Sequence, residues 1–265
     1  MQIFKDNYSV SDENSAITVA MLSSLGDREE QQDSAGFELK ADTGLIVVCD
    51  GMGGHEGGKL ASNIAVDAFL RLFNSEYPLN EPVNKMKETA IKVDKQIAAL
   101  THKDGSKMMS GTTLTSVFVQ KKELYWLSAG DSRIYIFRSG QMVRATKDHN
   151  YGLVLNEKLN AGIISLEQYE KEMRNKEALV SFLGVGNLML MDSNDEGFAL
   201  QTGDEVLLTS DGLCKVLSDE EICDILDNFS NVKEAVQALE QKVSREAKKK
   251  KIKRDNMTLC LIKIK

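Results

Sequence analysis

The chain has 265 residues, 33 of them basic and 40 acidic, and a net charge of −7. That length buries a core without metal or disulfide staples, and the negative balance excludes a general attraction to the nucleic-acid backbone. No run approaches the roughly 18 apolar residues of a membrane span, and Met1-Gln2-Ile3-Phe4-Lys5-Asp6 lacks the basic start and apolar stretch of a secretory leader, so a soluble, cytoplasmic chain with no membrane partner is expected.

Apolar patterning predicts strands at 17–25, 35–39 and 45–49, the first two separated by a polar stretch ending at Asp33. After Gly51-Met52-Gly53-Gly54-His55-Glu56-Gly57-Gly58, the residues Ala61, Ile64, Ala65, Ala68 and Leu72 recur at the helical period. Pro82 suits a first helical turn, and Val83, Met86, Ala90, Val93 and Ile97 line a second helix up to about residue 100. Residues 112–119, 124–128 and 133–137 read as three consecutive strands, with Lys121-Lys122 as a short turn. From about 150 to 176 the pattern weakens and becomes charged, an inserted flap in which Ser165-Leu166-Glu167-Gln168 has the form of a capping box. Strands return at 198–200 and 205–209, and Ser218-Asp219-Glu220-Glu221 caps a helix through Ile222, Ile225 and Leu226. A helix over about 232–246, a basic stretch from Lys248 to Lys253 and a strand at 257–264 complete the chain. No repeat or low-complexity linker divides it, so one domain over 1–265 is expected. Strict strand–helix alternation is missing from 110–140. The order instead gives the α+β class, two packed sheets with helices outside.

Two apolar runs end in Asp-Gly: Leu45-Ile46-Val47-Val48-Cys49 leads into Asp50-Gly51, and Val206-Leu207-Leu208-Thr209-Ser210 into Asp211-Gly212. A buried strand ending on an acid, with a glycine that lets the backbone turn away, sets a carboxylate at a sheet rim. Asp131 and Asp255 have similar settings, and Asp33 makes five. One Asp at a strand end is ordinarily a turn former. Five in concert suggest a site for hard cations such as magnesium or manganese, because carboxylates without His or Cys partners favour these over zinc. Two bridged divalent ions would acidify a shared water and clamp phosphate oxygens without a protein nucleophile. The three histidines, His55, His102 and His149, have no zinc-ligand spacing. The four cysteines, Cys49, Cys214, Cys223 and Cys260, show none either and read as reduced thiols.

Five glycines in eight residues of the 51–58 loop cost backbone entropy, so something approaches that backbone closely, or the loop is simply a sharp helix entry. It lacks the Gly-Lys-Ser/Thr of a nucleotide-binding phosphate loop. His55 can protonate a leaving group if it faces the site, and Arg28 can grip a phosphate oxygen pair; alone, each is an ordinary surface group. Ser110-Gly111-Thr112-Thr113 lacks the Gly-x-Ser-x-Gly form and reads as a turn and strand start. The basic stretch next to Asp255 reads first as a solvated face, although it can attract acidic substrates.

Taken in order, Arg28-x-x-Gln31-Gln32-Asp33, Val48-Cys49-Asp50-Gly51-Met52-Gly53-Gly54-His55, Ser110-Gly111-Thr112-Thr113, Ala129-Gly130-Asp131-Ser132-Arg133, Asp148-His149-Asn150, Thr209-Ser210-Asp211-Gly212 and Asp255-Asn256-Met257-Thr258 resemble the type-2C family of metal-dependent protein serine/threonine phosphatases, in the bacterial style. Each piece is weak alone, but seven in order over about residues 17–264 are specific. The resemblance implies a β-sandwich of two mainly antiparallel sheets flanked by helix pairs, in four layers α-β-β-α. It implies a centre of two divalent cations, Mn2+ or Mg2+, with a third weaker one, and hydrolysis of phosphoserine and phosphothreonine by a water activated there. By position, Asp50 looks like the bridging ligand, the Gly51 carbonyl a ligand of one ion, and Asp211 and Asp255 ligands of the other. Asp33 would hold metal-bound water, Asp131 with Asp211 the third ion, Arg28 the substrate phosphate, and His55 would assist binding or protonation. The flap at about 150–180 matches the variable segment beside the cleft. The implied partners are phosphorylated proteins opposing a serine/threonine kinase, with the chain acting as a monomer. Two departures stand out: Gln31 replaces a common Asn, and Leu179-Val180-Ser181-Phe182-Leu183-Gly184 lacks the Arg often found before Leu-Gly. The alternatives are a phosphoprotein-binding module of the same fold whose metal site Gln31 weakens, and a hydrolase of small phosphate compounds.

Overall fold

The computed structural model describes residues 7–54 and 56–265. The chain forms β1 (Tyr8–Glu13), β2 (Ile17–Ser24), β3 (Ser34–Lys40), β4 (Thr43–Cys49) and β5 (Gly51–Gly53), then α1 (Glu56–Ser75) and α2 (Pro82–Ala98). Next come β6 (Ser110–Thr112), β7 (Leu114–Gln120), β8 (Glu123–Ala129), β9 (Arg133–Arg138) and β10 (Gln141–Arg144), then α3 (Tyr151–Asn160) and α4 (Leu166–Glu172). The last part holds β11 (Asp192–Ser193), β12 (Phe198–Ala199), β13 (Glu205–Thr209), α5 (Asp211–Cys214), α6 (Asp219–Asn228), α7 (Val232–Lys250) and β14 (Met257–Ile264).

One sheet runs β1-β2-β14-β13-β9-β10, and the other β11-β8-β7-β4-β3 with β12 also on β8. Adjacent strands are antiparallel. The apolar run of β4 shows why the layers stack. Ile46 and Val48 face the other sheet, where they meet Val19, Met21, Ile134 and Val206. Leu45, Val47 and Cys49 point the opposite way, into a core closed by Phe69 and Phe73 of α1 and Met86 and Ile97 of α2. A strand covered on both faces reads as an uninterrupted apolar run. On the far side, Leu207, Leu259 and Leu261 pack under Leu226 of α6 and Leu239 of α7. The result is the expected four-layer α-β-β-α arrangement.

The registers decide where the acids go. Cys49 at the end of β4 pairs with Ser34 at the start of β3. Ala129 at the end of β8 pairs with Leu114 at the start of β7, and Thr209 at the end of β13 faces Leu259 near the start of β14. Asp33, Asp50, Asp131, Asp211 and Asp255 each lie just beyond one of these strand termini, at the same end of their sheets.

Several elements differ from expectation. The edge strands β1 and β10 were not expected: only Tyr8 and Val10 of the one and Met142 of the other pack against the core, so their apolar signal is short. The flap contains α3 and α4, and α4 starts at the expected Ser165–Gln168 box. The strand predicted over 112–119 is broken at Thr113, with β6 pairing to β5 instead of continuing β7. Among the described residues no helix is long and apolar enough to cross a membrane.

Candidate metal centre

Asp50, Gly51, Asp211 and Asp255 line one cleft of about 540 Å³, together with Arg28 and Lys215. Asp131 stands in an adjoining pocket of about 390 Å³ that shares Asp211 and Lys215 with the cleft. Asp33 lies behind, 4% exposed. His55 is outside the described residues.

Each acid is held by neighbours that fix its backbone or its carboxylate. Asp50 N–H donates to Thr113 Oγ1 at 2.9 Å, and its carbonyl accepts from Thr113 N–H at 2.9 Å and from Thr112 Oγ1 at 3.0 Å. Thr113 Oγ1 also meets Ser132 Oγ at 2.7 Å, which couples Asp50 to the turn carrying Asp131. The Ser110–Thr113 segment is therefore a clamp on Asp50 and not merely a strand start. Ser210 Oγ donates to Asp33 Oδ2 at 2.7 Å and accepts from Thr258 N–H at 2.9 Å. Asn256 takes Gln32 N–H on Oδ1 at 2.9 Å and gives Nδ2 to the Leu25 carbonyl at 2.9 Å, strapping the Arg28–Asp33 loop to the start of β14.

Gln31, one of the two departures noted in the sequence, is buried with both ends of its amide engaged. Its Oε1 accepts from Asp33 N–H at 3.0 Å, and Nε2 donates to Ser23 Oγ at 2.9 Å and to the Ser24 carbonyl at 3.2 Å. The longer amide supports Asp33 instead of losing it.

The glycines act by closeness. A Cβ on Gly51 would strike the carbonyls of Gly58 and Gln32, and one on Gly212 the Asn256 carbonyl. Neither glycine has a positive φ, which corrects the expectation that they let the chain turn away. What approaches the 51–58 backbone is the protein's own chain.

Electrostatically the site is crowded. Burial pushes the Asp33 carboxyl up to about 7, the charges of Asp211 and Asp255 adding to it and the Ser210 and Thr258 hydroxyls opposing. Burial, then Asp33 and Asp211, drives Asp50 well above the usual carboxylate range. Asp131 is raised to about 6 by burial and by Asp211. Asp211 is raised by burial against the pull of Lys215. For Asp255 burial is the largest influence and raises it, but Lys215 and Arg28 together outweigh it and leave the group below its ordinary value.

Two cations already sit among these acids. Lys215 Nζ pairs with Asp211 and, at 2.9 Å, with Asp255 Oδ2. Arg28 forks onto Asp255, Nε to Oδ1 and Nη2 to Oδ2, both at 2.8 Å. Among the described residues no three acidic, His or Cys side chains converge at the spacing of metal ligands. The donor set nevertheless fits hard cations. It is all oxygen, and Asp33 Oδ1 and Asp211 Oδ1 are buried without a hydrogen-bond partner, a costly state for carboxylate oxygens that a bound cation would relieve.

Lys215 was not anticipated. Its signal is the i, i+4 spacing from Asp211, readable only once residues 211–214 are known to be helical. His149, one of the three histidines, belongs to the framework: it is buried, and its Nδ1 accepts from Gly130 N–H at 3.1 Å. His102 lines a different pocket, beside Met108 and Met109.

A family model described as protein phosphatase 2C matches residues 9–153. The serine/threonine phosphatase stp of Listeria welshimeri is 31% identical over 211 residues, covering 78% of this chain and 81% of that protein. The structure of the S. agalactiae serine/threonine phosphatase superposes with a TM-score of 0.79 at 26% identity, over 94% of this chain and 100% of that one. The catalytic domain of the serine/threonine protein phosphatase PstP, solved with two manganese ions, superposes with a TM-score of 0.73 at 26% identity, over 94% of this chain and 98% of that one.

Proposed function

The chain belongs to the protein phosphatase 2C family and is a phosphoprotein phosphatase, and on that premise we propose that it hydrolyses phosphoserine and phosphothreonine at the cleft carrying Asp50, Asp211 and Asp255. The observation that carries this reading is the gathering of five acids, far apart in the chain, at one end of the sandwich, two of them with buried, unpartnered oxygens. Asp50, Asp211, Asp255 and the Gly51 carbonyl would hold two divalent cations, manganese or magnesium, and Asp131 with Asp211 a third, weaker one. When bound, the cations supply an acidified water and neutralise charge on the phosphate oxygens.

The chain's own groups do the rest. Asp33, buried behind the cleft with one oxygen tied to Ser210 and the other without a partner, is placed to accept a hydrogen bond from the attacking water. Arg28 presents a half-exposed guanidinium at the mouth of the cleft. Its fork, engaged with Asp255 here, has the geometry to take two phosphate oxygens instead. Thr112, Thr113 and Asn256 keep the acid-bearing backbone in place throughout.

Phosphate release from a phosphothreonine peptide, with and without manganese, tests this. Wild type is expected to release phosphate only with the metal, and Asp50→Asn and Asp211→Asn to abolish that release. No release from folded wild type under saturating metal would refute the catalytic reading and favour a phosphoprotein-binding module.

A further inference from the structure

An overall acidic chain carries one dense basic segment: six of the seven residues from Lys248 to Arg254 are Lys or Arg, and the next residue is Asp255 of the cleft. The segment is fixed in place. Arg254 donates its backbone N–H to Asp27 Oδ2 at 2.9 Å and pairs with Asp27 Oδ1 at 3.0 Å, while Asp27 N–H returns to the Arg254 carbonyl at 3.1 Å. Lys249 is taken by Glu246, and Lys250 by the Val216 carbonyl. Lys248, Lys251 and Lys253 remain exposed, and among the described residues no hydrogen bond or ion pair holds their ammonium groups. Lys253 lines the cleft itself, alongside Arg28, Asp50 and Asp211.

The ordinary account of lysines here is the helix dipole, which favours cations in a last turn. It covers Lys248 to Lys250 of α7. It does not cover Lys253, which lies beyond the left-handed residue Lys251 (φ 54°) that ends the helix. A charged ridge strapped to the rim of an acid-lined cleft needs another reason.

We propose that this ridge selects substrates: Lys248, Lys251 and Lys253 recognise acidic side chains or additional phosphates flanking the phosphorylated serine or threonine. The preferred substrates are then phosphoprotein segments dense in negative charge. Glu29 and Glu30 line the same cleft and repel such charge, so the favoured flank is the one running over Lys253. Exposed charges act here through steering and modest contacts, within a Debye length of about 8 Å at physiological salt. The inference rests on the phosphatase reading above.

Two phosphothreonine peptides, identical except that the flanking positions are Glu in one and Gln in the other, test it with manganese present. Wild type is compared with the triple variant Lys248→Ser, Lys251→Asn, Lys253→Ser, where Asn suits the left-handed position. The readout is the ratio of kcat/KM for the two peptides, which cancels any general loss of activity. Wild type is expected to favour the Glu peptide by roughly three- to tenfold at low salt, with the preference shrinking at about 0.5 M salt and falling within about twofold in the variant. Equal use of both peptides by wild type, or an unchanged preference in the variant, overturns the proposal while leaving the phosphatase reading intact. Hydrolysis of neither peptide overturns both. Absence of a peptide preference, together with lysine-dependent sedimentation on phosphatidylserine-containing vesicles, would assign the ridge to a lipid surface instead.

Discussion

Lys215 sits between two of the acids. Its ammonium bridges Asp211 and Asp255, and the acids in turn hold its pKa well up against the opposing effect of burial. A cation held by both carboxylates would compete with it. The side chain is 51% exposed, so each ion pair is screened and worth about 0.2–1 kcal/mol. Lys215→Met is accordingly expected to bind manganese roughly three- to tenfold more tightly by calorimetry, and to melt at a lower temperature without metal. Looser binding would show that the lysine helps to hold the ion. The same crowding fixes the pH dependence. Asp33 and Asp131, raised to about 7 and about 6, favour the protonated form in the metal-free fold. Their contribution to metal-free stability is present at low pH and is lost as pH rises through those values. Metal must expel the same protons, so manganese affinity should rise between pH 6 and 8, with proton release seen as a dependence of the binding heat on buffer. A flat profile would contradict these assignments. Gln31 gives a second residue-scale expectation: Gln31→Leu removes the acceptor for Asp33 N–H in a buried site and should lower stability by about 1–3 kcal/mol in urea denaturation, with manganese affinity falling roughly tenfold.

Among the elements, α2 and the segment after the flap are joined by one buried acid. Asp94, 1% exposed, accepts backbone N–H groups from Gly184 at 2.8 Å, Gly186 at 2.9 Å and Leu188 at 3.1 Å. The adjacent Leu183 exchanges both backbone hydrogen bonds with Thr112, which in turn holds the Asp50 carbonyl. Asp94→Ala should therefore cost about 2–4 kcal/mol in urea denaturation, and it should weaken manganese binding less than the change at Gln31 does. Full stability in this variant would mean that the segment is held by packing alone. The elements also show what the sequence made legible. The strand-end acids stood out because a run covered on both faces is apolar throughout and stops abruptly at a carboxylate. Asp94 did not, since one acid on a helix looks like a solvated charge until its three donors arrive from some 90 residues away. The edge strands β1 and β10 were missed for a related reason: strands with little buried face have little hydrophobic signature.

At the scale of the molecule, antiparallel pairing gathers into one cleft acids that are far apart in the chain. Reading that destination required the order of seven motifs, because spacing alone brings none of the five acids together. The resemblance supplied the arrangement, and the registers of β3 with β4, β7 with β8 and β13 with β14 give its physical cause. The motifs include Thr113 and Asn256 without their roles and omit Lys215: all three matter through partners that only the fold supplies. The central claim is that this junction is a two-cation site. Crystals grown with manganese and measured at its absorption edge test it most directly. Two anomalous peaks are predicted in the cleft, about 2.0–2.3 Å from carboxylate oxygens of Asp50, Asp211 and Asp255, with Lys215 drawn off Asp255. A cleft without a peak under saturating manganese, with Lys215 still bridging the two acids, would contradict the account.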